Sequence, residues 1–215
     1  MKRIPLILTL FAVTLSACST DSSLPTSHMS HPGSLSLSDV ARSADAQTLA
    51  GLRQFTAQFH DIDAAFNAQY GLLVAPPATA PDGCISDDAA GGMGYHYTRG
   101  DNLNDNAITL LDPEFLVYAP TNAPRIDGFQ NRRLAAVEYF LPFTPRWPAP
   151  GTSGFVKAPS LHDFPTTATL PDVPFTATTR FGGWMFHIWL WENNPAGMFE
   201  NFNTSVNLCS GGGPA

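Results

Sequence analysis

The chain has 215 residues, of which 44% are hydrophobic, and a formal net charge of −7. This length suits one domain with a short extension. The acidic balance excludes a typical nucleic-acid-binding protein, whose affinity depends on cationic contacts to phosphate, and it disfavours a domain that lies flat on anionic lipid.

The first 17 residues have the pattern of a bacterial signal peptide. Lys2 and Arg3 form a short positive region, and the apolar run that follows is shorter than the about 20 residues that a membrane-spanning helix needs. The next window, LSAC at residues 15–18, resembles the lipobox of bacterial lipoproteins, in which the cysteine is acylated and becomes the new N-terminus. We therefore predict a signal peptide over residues 1–17 and a lipid anchor, with acyl chains such as palmitate, on Cys18.

The predicted anchor also indicates a location. Ser19 rather than Asp follows Cys18, and by analogy with lipoprotein sorting in enteric bacteria this favours the outer membrane, with the domain facing the periplasm. The alternative is an ordinary secretory signal with a chance cysteine. Loss of the leader removes Lys2 and Arg3, so the formal charge moves from −7 to −9 and Lys157 is the remaining lysine.

Two cysteines follow Cys18, and we expect them to form a disulfide. An exported protein meets an oxidising compartment, where a pair of thiols is usually bridged. Cys84 and Cys209 are therefore predicted partners. The alternative is a pair of thiolate metal ligands, which the absence of CxxC or CxxH spacing disfavours.

A helix followed by strands is the expected architecture of residues 38–209. Residues 18–37 are rich in Ser, Thr, Pro and Gly and predict a flexible tether, and residues 210–215 predict a disordered tail. Apolar residues then recur at steps of three and four, which predicts one amphipathic helix of about 27 residues with a bend near Asp61. The members of this stripe are Leu49, Leu52, Phe55, Phe59, Ile62, Phe66 and Tyr70.

Four segments after Pro76 are rich in aromatic and β-branched residues, which predicts strands. The predicted strands are Met93–Thr98, Phe115–Tyr118, Leu134–Leu141 and Trp184–Trp191. A proline-rich stretch from residue 142 to 181 predicts an irregular excursion over the surface, or a lid. The fold expected is α+β, with one long N-terminal amphipathic helix packed on an antiparallel, barrel-like sheet.

Three of these strands each carry one imidazole or carboxylate in an apolar context. They are His96, Glu138 and His187. A buried carboxylate needs a partner, and two imidazoles with one carboxylate form a ligand set that suits zinc, iron, manganese or copper. The sequence therefore predicts one divalent metal ion held by these three side chains, with His60 and His162 as weaker candidates.

Two alternatives remain open at this stage. The three side chains could line a metal-free polar pocket for a small ligand, or form a structural network in which Glu138 pairs with Arg132, Arg133 or Arg180. Three functions follow: a protein that binds a small ligand or metal ion, a metal-dependent enzyme of oxygenase or isomerase type, and a structural envelope module that binds another protein through aromatic residues. The chain has no GxSxG motif and no glycine-rich phosphate loop.

Four segments in the same order resemble a group of exported bacterial proteins of uncharacterised activity. That group carries GMGYH, VEY and HxWxWxxNPAGMF motifs and a closing cysteine. The corresponding segments here are CISDDAAGGMGYHYT, LDPEFLVYAP, LAAVEYFLP and HIWLWENNPAGMFENFNTSVNLC, within residues 45–209. The chain departs from the group at Pro113-Glu114 and in its neutral NFNTSVNLC ending. The resemblance implies that His96, Glu138, His187 and the two cysteines act as one unit, and it implies no particular activity.

Overall fold

The computed structural model describes residues 37–72, 83–121 and 132–209. The chain divides into two units, residues 1–35 and 36–215, and the described residues all belong to the second. The predicted signal peptide, the acylated Cys18, the tether up to residue 36 and the tail at 210–215 lie outside the described residues. In the described ranges, no helix combines the length and the apolar character that crossing a membrane would require.

The helical region is broken, so the prediction of one long amphipathic helix is wrong. Helix α1 spans Leu37–Thr56, a 3-10 helix spans Ala57–His60, and a short helix α2 spans Ile62–Asn67. Asp61 interrupts the run because its backbone is extended and its carboxylate accepts a hydrogen bond from the Asp63 amide, which caps α2. The apolar spacing continues through the break because Phe59 and Tyr70 are buried, although neither residue lies in an α-helix.

Seven strands form one antiparallel sheet in the described residues. The strands are β1 (Gly71–Leu72), β2 (Cys84–Asp87), β3 (Gly91–Thr98), β4 (Phe115–Pro120), β5 (Arg132–Pro142), β6 (Thr176–Thr178) and β7 (Gly183–Ile188). Their order in the sheet is β1-β3-β4-β5-β7-β6, with β2 also paired to β3. The segments predicted from the sequence correspond to β3, β4, β5 and β7. Further 3-10 helices span Asn102–Asn104, Leu161–Asp163 and Pro165–Thr167.

The sheet is open, and the prediction of a barrel-like sheet is wrong. Closure requires the two edges of a sheet to pair with each other. Here one edge carries the short strands β1 and β2 and the other the three-residue β6, and no pairing joins these edges within the described residues. The α+β class with one antiparallel sheet is confirmed.

The two faces of the sheet have different cores, because alternate side chains along a strand point to opposite faces. The first face carries the larger core, to which residues 161–175 contribute Leu161, Phe164, Leu170 and Phe175. The proline-rich stretch is thus irregular and divides in two: residues 150–157 are exposed at the surface, whereas residues 161–175 pack as a core layer. The second face carries smaller clusters, one formed by Val117, Ala119, Ala135, Ala136, Trp189 and Val206.

The C-terminal segment 201–209 covers part of the second face and is fastened there. The predicted disulfide joins Cys84 in β2 to Cys209, with 5.8 Å between the Cα atoms. Asn203 exchanges two backbone hydrogen bonds with Gly92 of β3. A Cβ on Gly92 would lie 2.6 Å from Val206 Cγ1 and 2.7 Å from the Asn207 carbonyl oxygen, so only glycine permits this close approach.

Candidate metal centre

Strand register brings His96, Glu138 and His187 to one place on the second face. Glu138 of β5 and His187 of β7 are direct cross-strand partners. His96 of β3 lies one strand further away, opposite Val117 of β4. Its ring extends past β4 beside Phe115, with 6.1 Å between the ring centroids. These three residues are called the His/Glu cluster below.

The ligand atoms of the His/Glu cluster converge on the Glu138 carboxylate. His96 Nε2 lies 3.3 Å from Glu138 Oε2, and His187 Nε2 lies 3.3 Å from Glu138 Oε1. One ligand atom from each residue lies within 4.8 Å of the other two. All three side chains are fully buried, so the three sequence-predicted residues do meet in an apolar interior.

The short distances do not amount to hydrogen bonds. Both nitrogens of each histidine and both oxygens of Glu138 are buried without a hydrogen-bond partner. Buried polar atoms are paired in most proteins, because an unpaired group loses its interaction with water and gains nothing in return. Six of the ten such side-chain atoms among the described residues belong to this one cluster.

Burial favours the neutral form of each group in the cluster in the absence of a metal ion. Desolvation lowers the pKa of His96 to about 4 and that of His187 to about 3. Desolvation also raises the pKa of Glu138 well above its ordinary value, and an ionised Glu114 would raise it further. Two neutral imidazoles and a protonated carboxyl are the forms in which these groups tolerate an apolar site.

Neighbouring groups orient the two imidazoles. The His187 ring stacks on Trp189 with an interplanar angle of 12°. The carbonyls of Gly83 and Gly94 near His96, and the Asn201 side chain near His187, oppose the fall of the histidine pKa values, although none of these contacts has hydrogen-bond geometry. Such groups are of the type that hold metal-binding histidines from behind.

A cavity of about 300 Å³ reaches the His/Glu cluster at His187. Its walls are largely apolar and come from β2, β3, β7 and the loop 201–202, while Thr176, Thr178 and Arg180 bring polar atoms from β6 and the turn that follows it. A buried ligand set beside a cavity can hold an ion and still leave a coordination position accessible from one side. We call this space the His187 cavity.

The arginine partners considered for Glu138 are engaged elsewhere or remain unpaired. The guanidinium of Arg132 lies over the Tyr95 ring, and its Nη1 donates to the Tyr97 hydroxyl. Arg133 forms an ion pair with Glu192. Arg180 lies at the His187 cavity, and none of the ion pairs among the described residues joins an arginine to Glu138. The structural alternative that requires such a pair is therefore wrong.

The two weaker histidine candidates lie outside the cluster. His60 is exposed and its ring contacts Trp191 at a centroid distance of 4.4 Å. His162 is also exposed, and its Nε2 lies 2.8 Å from the Leu170 carbonyl oxygen. Neither belongs to the group of residues whose ligand atoms converge.

The sequence interpretation missed Asn201 and Arg180 as groups facing the site. Asn201 lies between Glu200 and Phe202, and the sequence around it contains no motif that indicates a function. Arg180 was considered only as a partner of Glu138. Its place at a cavity depends on the turn between β6 and β7, whose Gly182 has a φ of 72°.

Comparisons with known proteins identify no relative from which a function of the site could be inferred. No protein-family model matches the sequence, and neither the curated proteins nor the solved structures contain a significant match.

Proposed function

We propose that this protein binds one divalent transition-metal ion through His96 Nε2, His187 Nε2 and a carboxylate oxygen of Glu138. The observation that supports this most strongly is the convergence of three fully buried ligand residues whose nitrogens and oxygens have no hydrogen-bond partner. A cation would pair all the atoms that face one another across the cluster, and its charge would offset the cost of burying an ionised Glu138.

The ligand types narrow the choice of ion. Two imidazole nitrogens and one carboxylate oxygen are typical of zinc, iron, manganese and copper sites, whereas calcium and magnesium prefer oxygen ligands alone. Three protein ligands are also fewer than a closed structural zinc site uses. The donor set therefore favours a site in which water or a small molecule completes the coordination.

A second candidate function, a metal-dependent enzyme, is favoured by the His187 cavity. A ligand residue that also forms part of a cavity wall places the ion within reach of a small molecule. An ion in such a position polarises bound oxygen atoms and lowers the pKa of bound water. A protein that only stores or senses the ion has no need for this access, so an open coordination position separates the two functions.

Metal content is the direct test. The full chain, purified without chelator, should contain about one equivalent of a first-row transition metal, and after chelation it should take up one equivalent again. The His96→Ala and His187→Ala variants should lose this uptake, while His60→Ala and His162→Ala should retain it. Elemental analysis and competition titration give both quantities. The Co²⁺-loaded protein should also change its absorption spectrum on addition of azide, if a coordination position is open.

Two results would contradict the proposal. One is less than about a tenth of an equivalent of every ion in the wild-type protein after reloading at neutral pH. The other is equal uptake by the His187→Ala and His60→Ala variants, since this would place the bound ion outside the His/Glu cluster. A Co²⁺ spectrum indifferent to azide would leave metal binding in place and argue against the enzyme.

We further propose that the protein is a lipoprotein of the bacterial envelope, attached to the outer membrane through acylated Cys18. Support comes from the residue pattern at 1–19, and the disulfide of Cys84 and Cys209 agrees with an oxidising compartment. Cells fed labelled palmitate should label the wild-type protein but not a Cys18→Ser variant. Equal labelling of both would contradict acylation at Cys18.

A further inference from the structure

The His187 cavity contains a partly buried cation, Arg180, that has no counter-ion among the described residues. Arg180 Nε and Nη2 are buried and have no hydrogen-bond partner, and none of the ion pairs among the described residues includes Arg180. The Arg180 guanidinium carbon lies over the Phe181 ring, 5.4 Å from its centroid. A guanidinium has five N–H donors, so an arginine left in this state has most of its binding capacity unused.

The positive charge of Arg180 acts electrostatically on the His/Glu cluster. It is among the causes that lower the pKa of His96, after the larger effect of burial. Partial burial also lowers the pKa of Arg180 itself, as expected for a cation that has lost part of its hydration without gaining an anion. With a divalent ion bound to an ionised Glu138, the cluster would add a net positive charge to that of Arg180.

The remaining walls of the cavity are largely apolar and would contact the apolar part of a ligand. Ile85, Met93, Phe181, Met185 and Phe202 present apolar surface. A volume of about 300 Å³ stands at the lower end of the range found for small-molecule sites, which starts at about 300 Å³. The occupant is therefore a small molecule with an apolar body and an anionic end. A free inorganic anion would leave the apolar walls without a partner.

We propose that the His187 cavity binds a small monocarboxylate whose carboxylate pairs with the Arg180 guanidinium and whose hydrocarbon part lies against the Met93, Met185 and Phe181 side chains. Guanidinium and carboxylate are complementary because two parallel N–H···O bonds join them. This inference rests on the proposed function only in that the bound carboxylate would lie beside the metal ion proposed at His187.

The test uses the full chain and three probes, acetate, butyrate and benzoate, each compared with its neutral amide. Calorimetry or ligand-observed NMR measures binding to the metal-loaded and the chelated protein. We expect benzoate or butyrate to bind at least about tenfold more tightly than its amide, because the amide cannot form the charged pair. The Arg180→Gln variant should lose this preference, Arg180→Lys should keep part of it, and the exposed Arg146→Gln should behave as wild type.

Metal content of the same samples separates this proposal from the previous one. Arg180→Gln should keep its metal ion while it loses the carboxylate, and His187→Ala should lose the ion. Loss of carboxylate preference by Arg180→Gln in a chain that binds no metal would support the anion site and overturn the metal site. The anion proposal itself is overturned if none of the three carboxylates binds more tightly than its amide, if Arg180→Gln binds them as wild type does, or if inorganic phosphate binds more tightly than all three.

Discussion

Glu138 and His187 face each other across the hydrogen-bonded strands β5 and β7, with 3.3 Å between Glu138 Oε1 and His187 Nε2. Both side chains are fully buried, and neither of these two atoms has a hydrogen-bond partner. The cross-strand register brings them to this distance, and the Trp189 ring packs beside His187. The site thus belongs to the rigid part of the sheet rather than to a loop, and its ligands are already near one another before an ion binds.

Replacement of Glu138 by Gln separates the metal role of this residue from its structural role. Burial raises the pKa of the Glu138 carboxyl and so favours its protonated form in the metal-free protein, and Gln is a close neutral substitute for that form. We expect Glu138→Gln, measured by urea unfolding in the presence of chelator, to change the free energy of unfolding by less than about 1 kcal/mol. With metal ion at 100 times its dissociation constant, the wild type should gain about 2.7 kcal/mol and the variant should gain almost nothing.

A matched His162→Ala variant should gain as much from the metal ion as the wild type. If Glu138→Gln responds to the ion as the wild type does, the carboxylate is not a ligand. If the variant fails to fold even in chelator, Glu138 has a structural role that the neutral cluster does not account for.

The Cys84–Cys209 disulfide should contribute both to stability and to the metal site. The two cysteines are 125 residues apart, and a bridge across a loop of that length stabilises the folded chain by about 4 to 5 kcal/mol in the chain-entropy model. The C-terminal segment that it fastens includes Asn201 beside His187. A Cys84→Ala/Cys209→Ala double variant should therefore lose stability in urea and also bind the metal ion more weakly, although all three ligands are present. Unchanged metal affinity would show that the segment does not support the site.

The strands and the His/Glu cluster were accessible from the sequence for one reason. Leu134–Leu141 and Trp184–Trp191 are apolar runs that each contain one carboxylate or imidazole, and such a group inside a buried strand is costly without a partner. Both runs overlap strands of the sheet, β5 and β7. That cost allowed three distant residues to be grouped without knowledge of the topology, and the topology then placed them together.

Other features depended on interactions that the local pattern does not contain. The apolar stripe continues past Asp61 because Phe59 and Tyr70 are buried. The helix itself does not continue, because Asp61 is extended and caps a new helix, α2. Strands β1 and β6 have two and three residues, too few for a periodicity to be recognised. Sheet closure is a property of edge pairing, which no single segment encodes. Arg180 gained its significance only when the cavity was visible.

Gly92 should tolerate no side chain, since the C-terminal segment crosses it directly. An added Cβ would lie 2.6 Å from Val206 Cγ1 and 2.7 Å from the Asn207 carbonyl oxygen. We expect Gly92→Ala to lower the free energy of unfolding by about 1 to 3 kcal/mol because the segment must move to relieve the overlap. Gly100 follows the same strand and an added Cβ there would meet nothing within 4 Å, so Gly100→Ala is the matched control and should have the stability of the wild type. Equal stability of the two variants would contradict the close crossing.

Glu114 should make stability fall as pH rises. Its side chain is buried, its Oε2 accepts a hydrogen bond from the Phe140 amide at 3.2 Å, and burial raises its pKa to about 9 from an ordinary value of 4.5. The folded chain therefore keeps a proton that the unfolded chain releases above pH 4.5. The stability due to this proton is complete below pH 4.5 and is lost progressively up to about pH 9, with a limiting slope of about 1.4 kcal/mol per pH unit.

The Glu114→Gln variant keeps the hydrogen-bond acceptor for the Phe140 amide and has no proton to lose. In urea unfolding at pH 5, 7 and 9, the variant should therefore become progressively more stable relative to the wild type, and since Glu138 is present in both chains, its own titration largely cancels in the difference. A stability difference that stays constant with pH would mean that Glu114 is already ionised in the folded protein.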